Sequence, residues 1–234
     1  MTLARMLEPE VMDSWQEATD YDAMDHAEAN RNFVTDLLAT GAVEGFVLDL
    51  GTGTAQIPVE LCRRCDDCCV MASDLATNML DVARYNIEIA GLITRIQLDH
   101  ADAKQTPYPD NRFDVVMCNG MLHHLAEPRL VLAEAVRVTA PGGRIFFRDL
   151  LRPETEEQLQ RLVQTYAGAE NERQRQMFEN SLRAALTLAE IRGLVGQLGF
   201  GPDTVQATSD RHWTWQVRRT AAQPNAESQA IPRE

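Results

Sequence analysis

Lysine is almost absent from this sequence of 234 residues, in which Lys104 is the only one. Arginine does not restore the balance, because 22 basic residues face 35 acidic ones and the formal net charge is −13. A general nucleic-acid-binding protein needs a basic field to neutralise phosphates, and anionic membrane surfaces attract basic segments. We therefore expect a protein that binds neither nucleic acid nor a membrane.

Long hydrophobic runs and an apolar leader are also lacking. No apolar run approaches the roughly 18–20 residues that span a bilayer, and the first residues lead into acids rather than into the apolar segment of a signal peptide. The 5 cysteines are an odd number, and most of them fall within residues 62–69, unlike a dispersed disulfide framework. We expect a reduced, cytoplasmic protein.

What the sequence does contain is an alternation of apolar runs and helical patterns. Continuous apolar runs that alternate with helices predict an α/β fold with a doubly wound, mostly parallel, Rossmann-like sheet covered on both faces. An antiparallel pair is expected at one edge, over 205–208 and 212–217. The five central strands are predicted over 46–50, 69–74, 96–101, 113–118 and 144–149.

The chain divides into three parts by composition. Residues 1–45 are predicted to form an acidic, helical N-terminal segment that acts as a lid. Residues 46–218 are predicted to form the Rossmann-like domain, with a helical cover inserted at about 153–198. Residues 219–234 lack apolar periodicity, which is typical of a disordered tail.

A glycine loop follows the first predicted strand. Gly51 and Gly53 lie between that strand and a helix, where ligands bind in open α/β sheets. Gln56 stands where a dinucleotide fingerprint needs a further glycine. Asp49 places a carboxylate beside the loop, which disfavours phosphates and favours a cation. S-adenosylmethionine carries a sulfonium and an ammonium group and no phosphate, so the loop favours this cofactor over a nicotinamide dinucleotide.

Two further carboxylates follow neighbouring strands. Asp74 ends the second predicted strand, where an acid can accept hydrogen bonds from both hydroxyls of a ribose. Asp102 follows the third strand, where a carboxylate can accept from the exocyclic amine of adenine. One acid at a strand end is more often solvated than functional, but three at successive strand ends indicate a nucleoside site.

The segment from about Phe46 to Arg152 resembles the class I S-adenosylmethionine-dependent methyltransferases, in the branch that acts on small molecules. Ordered motifs carry the resemblance: Val47–Gly53, Ser73–Leu75 with Asn78–Leu80, Ala101–Ala103, Phe113–Val116, Leu122–Leu125 and Pro141–Gly143. This order is specific for the fold and the cofactor and says little about the substrate.

The resemblance implies a set of cofactor contacts at successive strand ends. Asp49 would help to hold the ammonium group, and the backbone of Asn119 would contact the methionine amino group. Ala55 departs from the family, which often has a third glycine there, so the shape of the loop stays open. The residues implied are Asp49, Gly51, Gly53, Asp74, Leu75, Met79, Asp102, Ala103 and Asn119.

His123 and His124 follow the fourth predicted strand, beside the expected position of the transferred methyl group. Either imidazole is a candidate general base for an acceptor that must lose a proton. The alternative is that one histidine packs the loop and the other lies against the cofactor.

Three residues are candidates for contact with the substrate. Arg148 and Asp149 end the fifth strand, where the arginine could clamp a carboxylate or phosphate, although both could instead pair with nearby helices. Tyr21 resembles an aromatic lid residue over the cofactor, or it packs in the ordinary way. The helices after Pro153 offer an apolar lining from Tyr166, Met177, Phe178 and Leu182.

The cysteines Cys62, Cys65, Cys68 and Cys69 have the spacings of a zinc or iron–sulfur site. Cys62 is expected at a helix end and Cys69 at the start of a buried strand, so four thiolates are not expected to converge. We predict free cysteines and no metal.

These observations predict an enzyme that transfers a methyl group from S-adenosylmethionine to a small-molecule acceptor. The alternative is a non-catalytic sensor or scaffold that binds the cofactor or its demethylated product. A nucleic-acid methyltransferase is disfavoured by charge and by Asn119-Gly120-Met121-Leu122, which lacks the Pro-Pro-Tyr type of motif after strand four. The acceptor and the oligomeric state are not predicted.

Overall fold

The computed structural model describes residues 3–8, 14–24 and 26–220. Seven strands form one sheet, because β-branched and aromatic residues fill short runs that glycine or polar turns separate. These strands are β1 (Gly45–Leu50), β2 (Cys68–Asp74), β3 (Ile96–His100), β4 (Phe113–Asn119), β5 (Thr139–Leu150), β6 (Val205–Ala207) and β7 (His212–Arg218).

Helices connect these strands and precede them. The helices described are α1 (Trp15–Asp22), α2 (Ala27–Ala39), α3 (Gln56–Arg64), α4 (Thr77–Ile89), α5 (Pro128–Val138), α6 (Glu156–Ala167), α7 (Glu172–Ala184) and α8 (Leu188–Gln197). Several begin at side chains that satisfy the free backbone N–H groups of a helix start. Thr187 and Glu190 form a capping box at the start of α8.

The sheet has the strand order β3-β2-β1-β4-β5-β7-β6. The strands β1 to β5 are parallel, and β7 runs antiparallel between β5 and the short edge strand β6. The chain order reverses between β1 and β4, which opens a crevice at the carboxyl ends of these two strands. The expected parallel sheet and its antiparallel edge pair are confirmed.

Both faces of the sheet are covered, as predicted. One core joins Phe33 of α2 and Leu61 of α3 to Phe146 of β5. The other core joins α5 and α8 to the sheet and contains Trp213 and Trp215, both fully buried from the same face of β7. The alternation of side chains along each strand therefore decides which core each residue joins.

The N-terminal segment is predicted to be helical, but no apolar period in the sequence locates its first helix, α1. α1 begins at Ser14, whose hydroxyl accepts from the backbone N–H of Glu17 while the Glu17 carboxylate bonds back to Ser14. Its buried Ala18 packs with Ala76 and Met79 of the α4 region. The stripe of α1 that makes this contact is too narrow to give a strong hydrophobic period in the sequence.

The start of β5 differs most from the predicted strand boundaries. β5 begins at Thr139, so Pro141-Gly142-Gly143 lies inside the strand, beside an irregularity in its pairing with β4. The predicted tail falls largely outside the described residues, as does Asp25, where the sequence pattern over Asp25–Ala39 predicts a helix to begin. Among the helices described, none has the length and apolar character needed to cross a bilayer.

Candidate active site

The loop between β1 and α3 turns through three residues in the left-handed region. The φ angle is +68° at Gly51, +55° at Gly53 and +60° at Ala55. A Cβ at Gly51 would lie 2.6 Å from the Met121 sulfur, so glycine is what lets Met121 pack over the loop. Ala55 keeps the shape that a third glycine would have, although a left-handed conformation costs alanine about 1–2 kcal/mol.

Asp49 lies near the end of β1 and is buried. Burial raises the pKa of its carboxyl to about 7, and the charge of Asp74 adds to the increase. The expected negative charge beside the loop is therefore only partly present at neutral pH in the free protein. A cation in the adjoining pocket would favour the ionised form.

Asp74 ends β2 and links that strand end to the glycine loop. One carboxylate oxygen accepts from the backbone N–H of Gly53 at 2.7 Å, and the other accepts from that of Ala76 at 2.9 Å. Burial raises the pKa of the Asp74 carboxyl, and these backbone hydrogen bonds oppose the increase. The same side chain that the sequence assigns to a ribose thus also fixes the loop conformation.

Asp102 lies two residues beyond β3 and is half-exposed. Its carboxylate accepts from the backbone N–H of Lys104 at 2.9 Å, and the Lys104 ammonium lies 3.5 Å from its other oxygen. Leu75, Met79, Asp102 and Ala103 line the same crevice. An adenine ring inserted here would have apolar contacts on one side and a carboxylate at its edge.

The nine predicted cofactor residues come together at the carboxyl ends of β1 to β4. All except Asp49 line a crevice of about 120 Å³. Asp49 lines a small adjoining pocket of about 20 Å³. Tyr21, Gly51 and Asn119 contribute to both. Among the described residues, the buried hydroxyl of Thr54 in the small pocket has no hydrogen-bond partner.

Some crevice residues were missed by the sequence analysis. Ala76, Gly120, Met121 and Leu125 also line the crevice. Gly120 has a φ of +69°, which turns the chain sharply after β4. A glycine directly after the buried fourth strand was a signal for such a turn, but apolar Met121 and Leu125 gave no indication of a ligand contact.

A second cavity of about 510 Å³, which we call the large cavity, opens beside the crevice. Helices α1, α2, α6 and α7 surround it, so the segment after Pro153 covers this side of the sheet. Tyr166, Met177 and Phe178 line this cavity as expected. Leu182 does not, because it is fully buried in the packing between α6 and α7.

His123 and His124 lie in a 3₁₀ turn, Leu122–His124, that follows β4. Their rings are 4.1 Å apart and tilted by 36°. Both histidines line the large cavity, and His124 also lines the crevice. The turn thus places both imidazoles at the boundary between the two spaces.

Asp149 holds His123 in place. One Asp149 oxygen is 2.6 Å from His123 Nδ1, and the other accepts from the His123 backbone N–H at 3.1 Å. Burial acts to lower the pKa of His123, but the Asp149 carboxylate overcomes it and the net shift is upward. The pKa of Asp149 is lowered, because the imidazole outweighs burial. The strand-end aspartate therefore orients a histidine, a pairing that the sequence did not reveal.

Arg148 does not face the crevice, which corrects the expectation that it clamps a substrate. Alternation along β5 sends its side chain to the face opposite Asp149. There it donates to Asp36 of α2 at 2.6 Å and to Thr214 of β7 at 3.0 Å. It pairs with a neighbouring helix, which was the alternative that the sequence left open.

Tyr21 lies near the end of α1, against the glycine loop. A Cβ at Gly53 would be 3.7 Å from its ring, and its side chain borders the crevice, the small pocket and the large cavity. Burial, with the charges of Asp74 and Asp49, raises the pKa of Tyr21 to about 12. Its ring therefore lies between the glycine loop and both cavities, and its role as a lid stays a prediction.

The cysteine segment lies at the opposite ends of the strands. The Arg95 guanidinium donates to the backbone carbonyls of Cys62, Cys65 and Cys68, while Cys69 is exposed. Within the part of the chain that the structure describes, these thiols form no group of three close enough to share a metal ion. The segment is organised by Arg95, a contact 27 to 33 residues away in sequence.

The comparison with protein families gives one match over this region. Residues 48–147 match the family Methyltransf_11, described as a methyltransferase domain. This range runs from β1 to β5 and contains the glycine loop, all three strand-end acids and the histidine turn.

Curated relatives are similar over part of their length. The chain is 30% identical to the 27-O-demethylrifamycin SV methyltransferase of Amycolatopsis mediterranei, over 70% of this chain and 56% of the relative. It is 36% identical to the demethylmenaquinone methyltransferase of Deinococcus radiodurans, over 46% and 44%. It is 27% identical to the ubiquinone/menaquinone C-methyltransferase UbiE of Vibrio cholerae, over 68% and 65%. The chain thus spans about half to two thirds of the length of these relatives.

Solved structures share the fold at low sequence identity. A SAM-dependent methyltransferase from Aquifex aeolicus aligns with a TM-score of 0.64 and 18% identity, over 87% of this chain and 97% of that one. An O-methyltransferase family protein from Burkholderia thailandensis aligns at 0.65 and 20%, over 89% and 60%. The [4+2]-cyclase SpnF aligns at 0.55 and 18%, over 93% and 99%. Residues 48–147 therefore form a methyltransferase domain of the matched family, and the described chain has the fold of S-adenosylmethionine-dependent methyltransferases.

Proposed function

We propose that this protein transfers the methyl group of S-adenosylmethionine to a small molecule bound in the large cavity. The observation that carries the proposal is a shared wall. Asn119, Gly120 and His124, together with Tyr21, line both the crevice and the large cavity. A cofactor in the crevice and an acceptor in the cavity would meet at this wall.

The residues of the crevice and of the small pocket suit one orientation of the cofactor. Asp74 and Asp102 suit the ribose and the adenine, since carboxylates accept from hydroxyl and amine groups. Asp49 and the unpartnered hydroxyl of Thr54 line the small pocket at the other end and suit the polar methionine group. The sulfonium would then lie between these ends, beside Asn119.

In such a reaction the protein orients the two reactants and excludes water from them. The bound cofactor supplies an electrophilic methyl group, and displacement at that carbon needs an acceptor atom in line with the bond that breaks. Tyr21 would cover the cofactor, and α6 and α7 would separate the acceptor from bulk water. These side chains would hold both reactants at the shared wall.

The cavity supports an acceptor of moderate size with a ring system. Its volume of about 510 Å³ lies within the range of about 300–1,000 Å³ that is typical of small-molecule sites. Tyr166, Met177 and Phe178 form apolar walls, and charged side chains of both signs complete the lining. The relatives named above for demethylrifamycin and demethylmenaquinone agree with an acceptor of this kind.

Methyl-labelled S-adenosylmethionine tests the proposal. The purified protein is incubated with a panel of hydroxylated aromatic and quinol compounds, and both S-adenosylhomocysteine and labelled product are measured. We expect turnover that depends on one class of acceptor. Asp74→Asn should weaken cofactor binding roughly 10- to 100-fold, because it loses charge-assisted hydrogen bonds. Asp81→Asn, on the exposed side of α4, is the matched control and should leave binding unchanged.

Two outcomes would contradict the proposal. Tight cofactor binding without turnover on any acceptor would favour the sensor or scaffold. If Asp74→Asn weakens cofactor binding no more than the control Asp81→Asn does, the cofactor binds elsewhere.

A further inference from the structure

Three potential metal ligands meet at the wall of the large cavity. Glu8, His123 and His124 each offer one ligand atom, and these atoms all lie within 4.8 Å of one another. Their side chains come from two distant parts of the chain, and all three line the cavity. The cluster is separate from the crevice residues assigned to adenosine and from the cysteine segment.

The segment that carries Glu8 is held by several contacts. The Arg5 guanidinium donates to the backbone carbonyls of His123 at 3.2 Å and Leu125 at 3.0 Å. The backbone N–H of Met6 donates to the carbonyl of Arg183 at the end of α7, at 3.1 Å. Arg5 thus binds the same turn that carries the two histidines, and it holds the segment that carries Glu8 beside them.

His123 has the orientation of a metal ligand. Its Nδ1 is 2.6 Å from an Asp149 oxygen, which leaves Nε2 for another partner. Histidine ligands in metal sites usually donate their other ring N–H to a carboxylate or a carbonyl, which fixes the tautomer. Asp149 is fully enclosed and also binds the backbone of the turn, so the imidazole cannot rotate freely.

Glu8 supplies a second observation that points to a ligand. Its Oε1 atom is buried and has no hydrogen-bond partner among the described residues. A buried carboxylate oxygen without a partner is costly. A cation between Glu8 and the two imidazoles would satisfy it.

We propose that Glu8, His123 and His124 bind one divalent transition-metal ion, with zinc as the best match. Two imidazole nitrogens and one carboxylate oxygen form a common catalytic zinc set, in which a further position stays open. That position would face the cavity. The negative charges of Glu8 and Asp149 favour the ion, and the Arg5 guanidinium, which is bound to backbone carbonyls, opposes it.

The proposed metal site indicates which class of acceptor the protein methylates. This inference rests on the proposed function. An acceptor with a phenol or enol oxygen binds the open position and loses its proton to solvent, because a bound divalent ion lowers the pKa of an oxygen ligand. The oxygen attacks the methyl carbon, the C–O bond forms and the C–S bond breaks. Neutral S-adenosylhomocysteine leaves. The histidines then act as ligands, and the ion takes the place of a general base.

Metal titration tests the site without any acceptor. The protein is treated with a chelator, and binding of Zn²⁺ is measured by calorimetry and of Co²⁺ by its visible absorption. We expect one ion per chain. Glu8→Gln and His124→Asn should weaken binding by at least about tenfold, and Asp149→Asn by about 10- to 100-fold, as expected for a carboxylate that orients a ligand. Glu17→Gln, which changes a carboxylate lining the same cavity, is the matched control.

Binding of S-adenosylhomocysteine is measured on the same samples. Absence of stoichiometric zinc or cobalt in the wild-type protein would overturn the site, as would undiminished binding in both Glu8→Gln and His124→Asn when the cofactor product still binds. Zinc binding without any binding of S-adenosylhomocysteine would support the metal site and contradict the proposed function instead.

Discussion

Single residues at the strand ends do more than their types suggest. Asp49 and Asp74 follow neighbouring strands and both are acids, yet their surroundings differ. Burial raises the pKa of both carboxyls, to about 7 at Asp49, but at Asp74 two backbone hydrogen bonds oppose the increase. We predict that Asp49 lies beside the ammonium group of the cofactor and Asp74 beside its ribose hydroxyls.

The high pKa of Asp49 predicts that cofactor affinity depends on pH. Below about pH 7 the free protein carries a protonated Asp49, so binding the ammonium group requires loss of that proton. Affinity should rise by up to about tenfold per pH unit from about pH 5.5 to pH 7 and then level off. Calorimetry in buffers of different ionisation enthalpy would detect the released proton.

Asp49→Asn is the control for this pH dependence. The amide cannot ionise, so its affinity should be lower at pH 7.5 and nearly constant over the same range. An equally steep dependence in the amide variant would show that another group is titrating.

The glycine loop predicts a large effect for one small substitution and a small effect for another. Gly51→Ala places a Cβ 2.6 Å from the Met121 sulfur in a left-handed conformation, so it should displace Met121 and weaken cofactor binding. Ala55→Gly removes strain of about 1–2 kcal/mol and loses the burial of one methyl group, about 0.8 kcal/mol. Its stability should stay within about 1 kcal/mol of the wild type. Thermal denaturation and cofactor titration of both variants would check this, and a destabilised Ala55→Gly would contradict the strain argument.

At the scale of elements, the strand β5 both links neighbouring elements and contributes a residue to the site. Arg148 and Asp149 are adjacent on β5, and their side chains leave opposite faces of the sheet. Arg148 joins β5 to α2 and β7, while Asp149 orients the histidine turn. A one-residue shift of register in β5 would exchange these roles.

Replacement of Arg148 should therefore affect stability rather than binding. Arg148→Met removes charge-assisted hydrogen bonds and should lower the free energy of unfolding by about 1–3 kcal/mol. Cofactor affinity should be unchanged. Asp36→Asn, on the half-exposed partner, should cost less than about 1 kcal/mol. Urea denaturation measures the free energy of unfolding of both variants. An Arg148→Met variant of unchanged stability with a raised KM for the acceptor would instead support the hypothesis that Arg148 clamps the substrate.

At the scale of the whole molecule, ligand binding and stability are linked. The crevice is built from the ends of β1 to β4 and from α1 and α4, so a ligand there connects elements from both halves of the sheet. A ligand that binds only the native state at about 100 times its Kd adds about 2.7 kcal/mol to the free energy of unfolding. S-adenosylhomocysteine should raise the Tm by about 5–10 °C at that concentration, since each kcal/mol is worth about 2–4 °C in a domain of this size.

NAD is the control for the thermal shift. It shares the adenosine part of the cofactor but places a pyrophosphate beside Asp49 and lacks the ammonium group, so it should give no shift at equal concentration. A larger shift with NAD than with S-adenosylhomocysteine would contradict the assignment of the crevice.

The sequence by itself determined the fold and which candidate cofactor residues the strand ends bring together. Hydrophobic period and length distinguish buried strands from helices, and the glycine loop with its strand-end acids is a local pattern that any parallel sheet gathers at one edge. Tertiary structure decided the rest. It separated Arg148 from Asp149, buried Asp49 and joined Asp149 to His123. It also brought Glu8 to two histidines more than 100 residues away. These features depend on which face a side chain leaves and on which distant segment packs against it, and no local period encodes either.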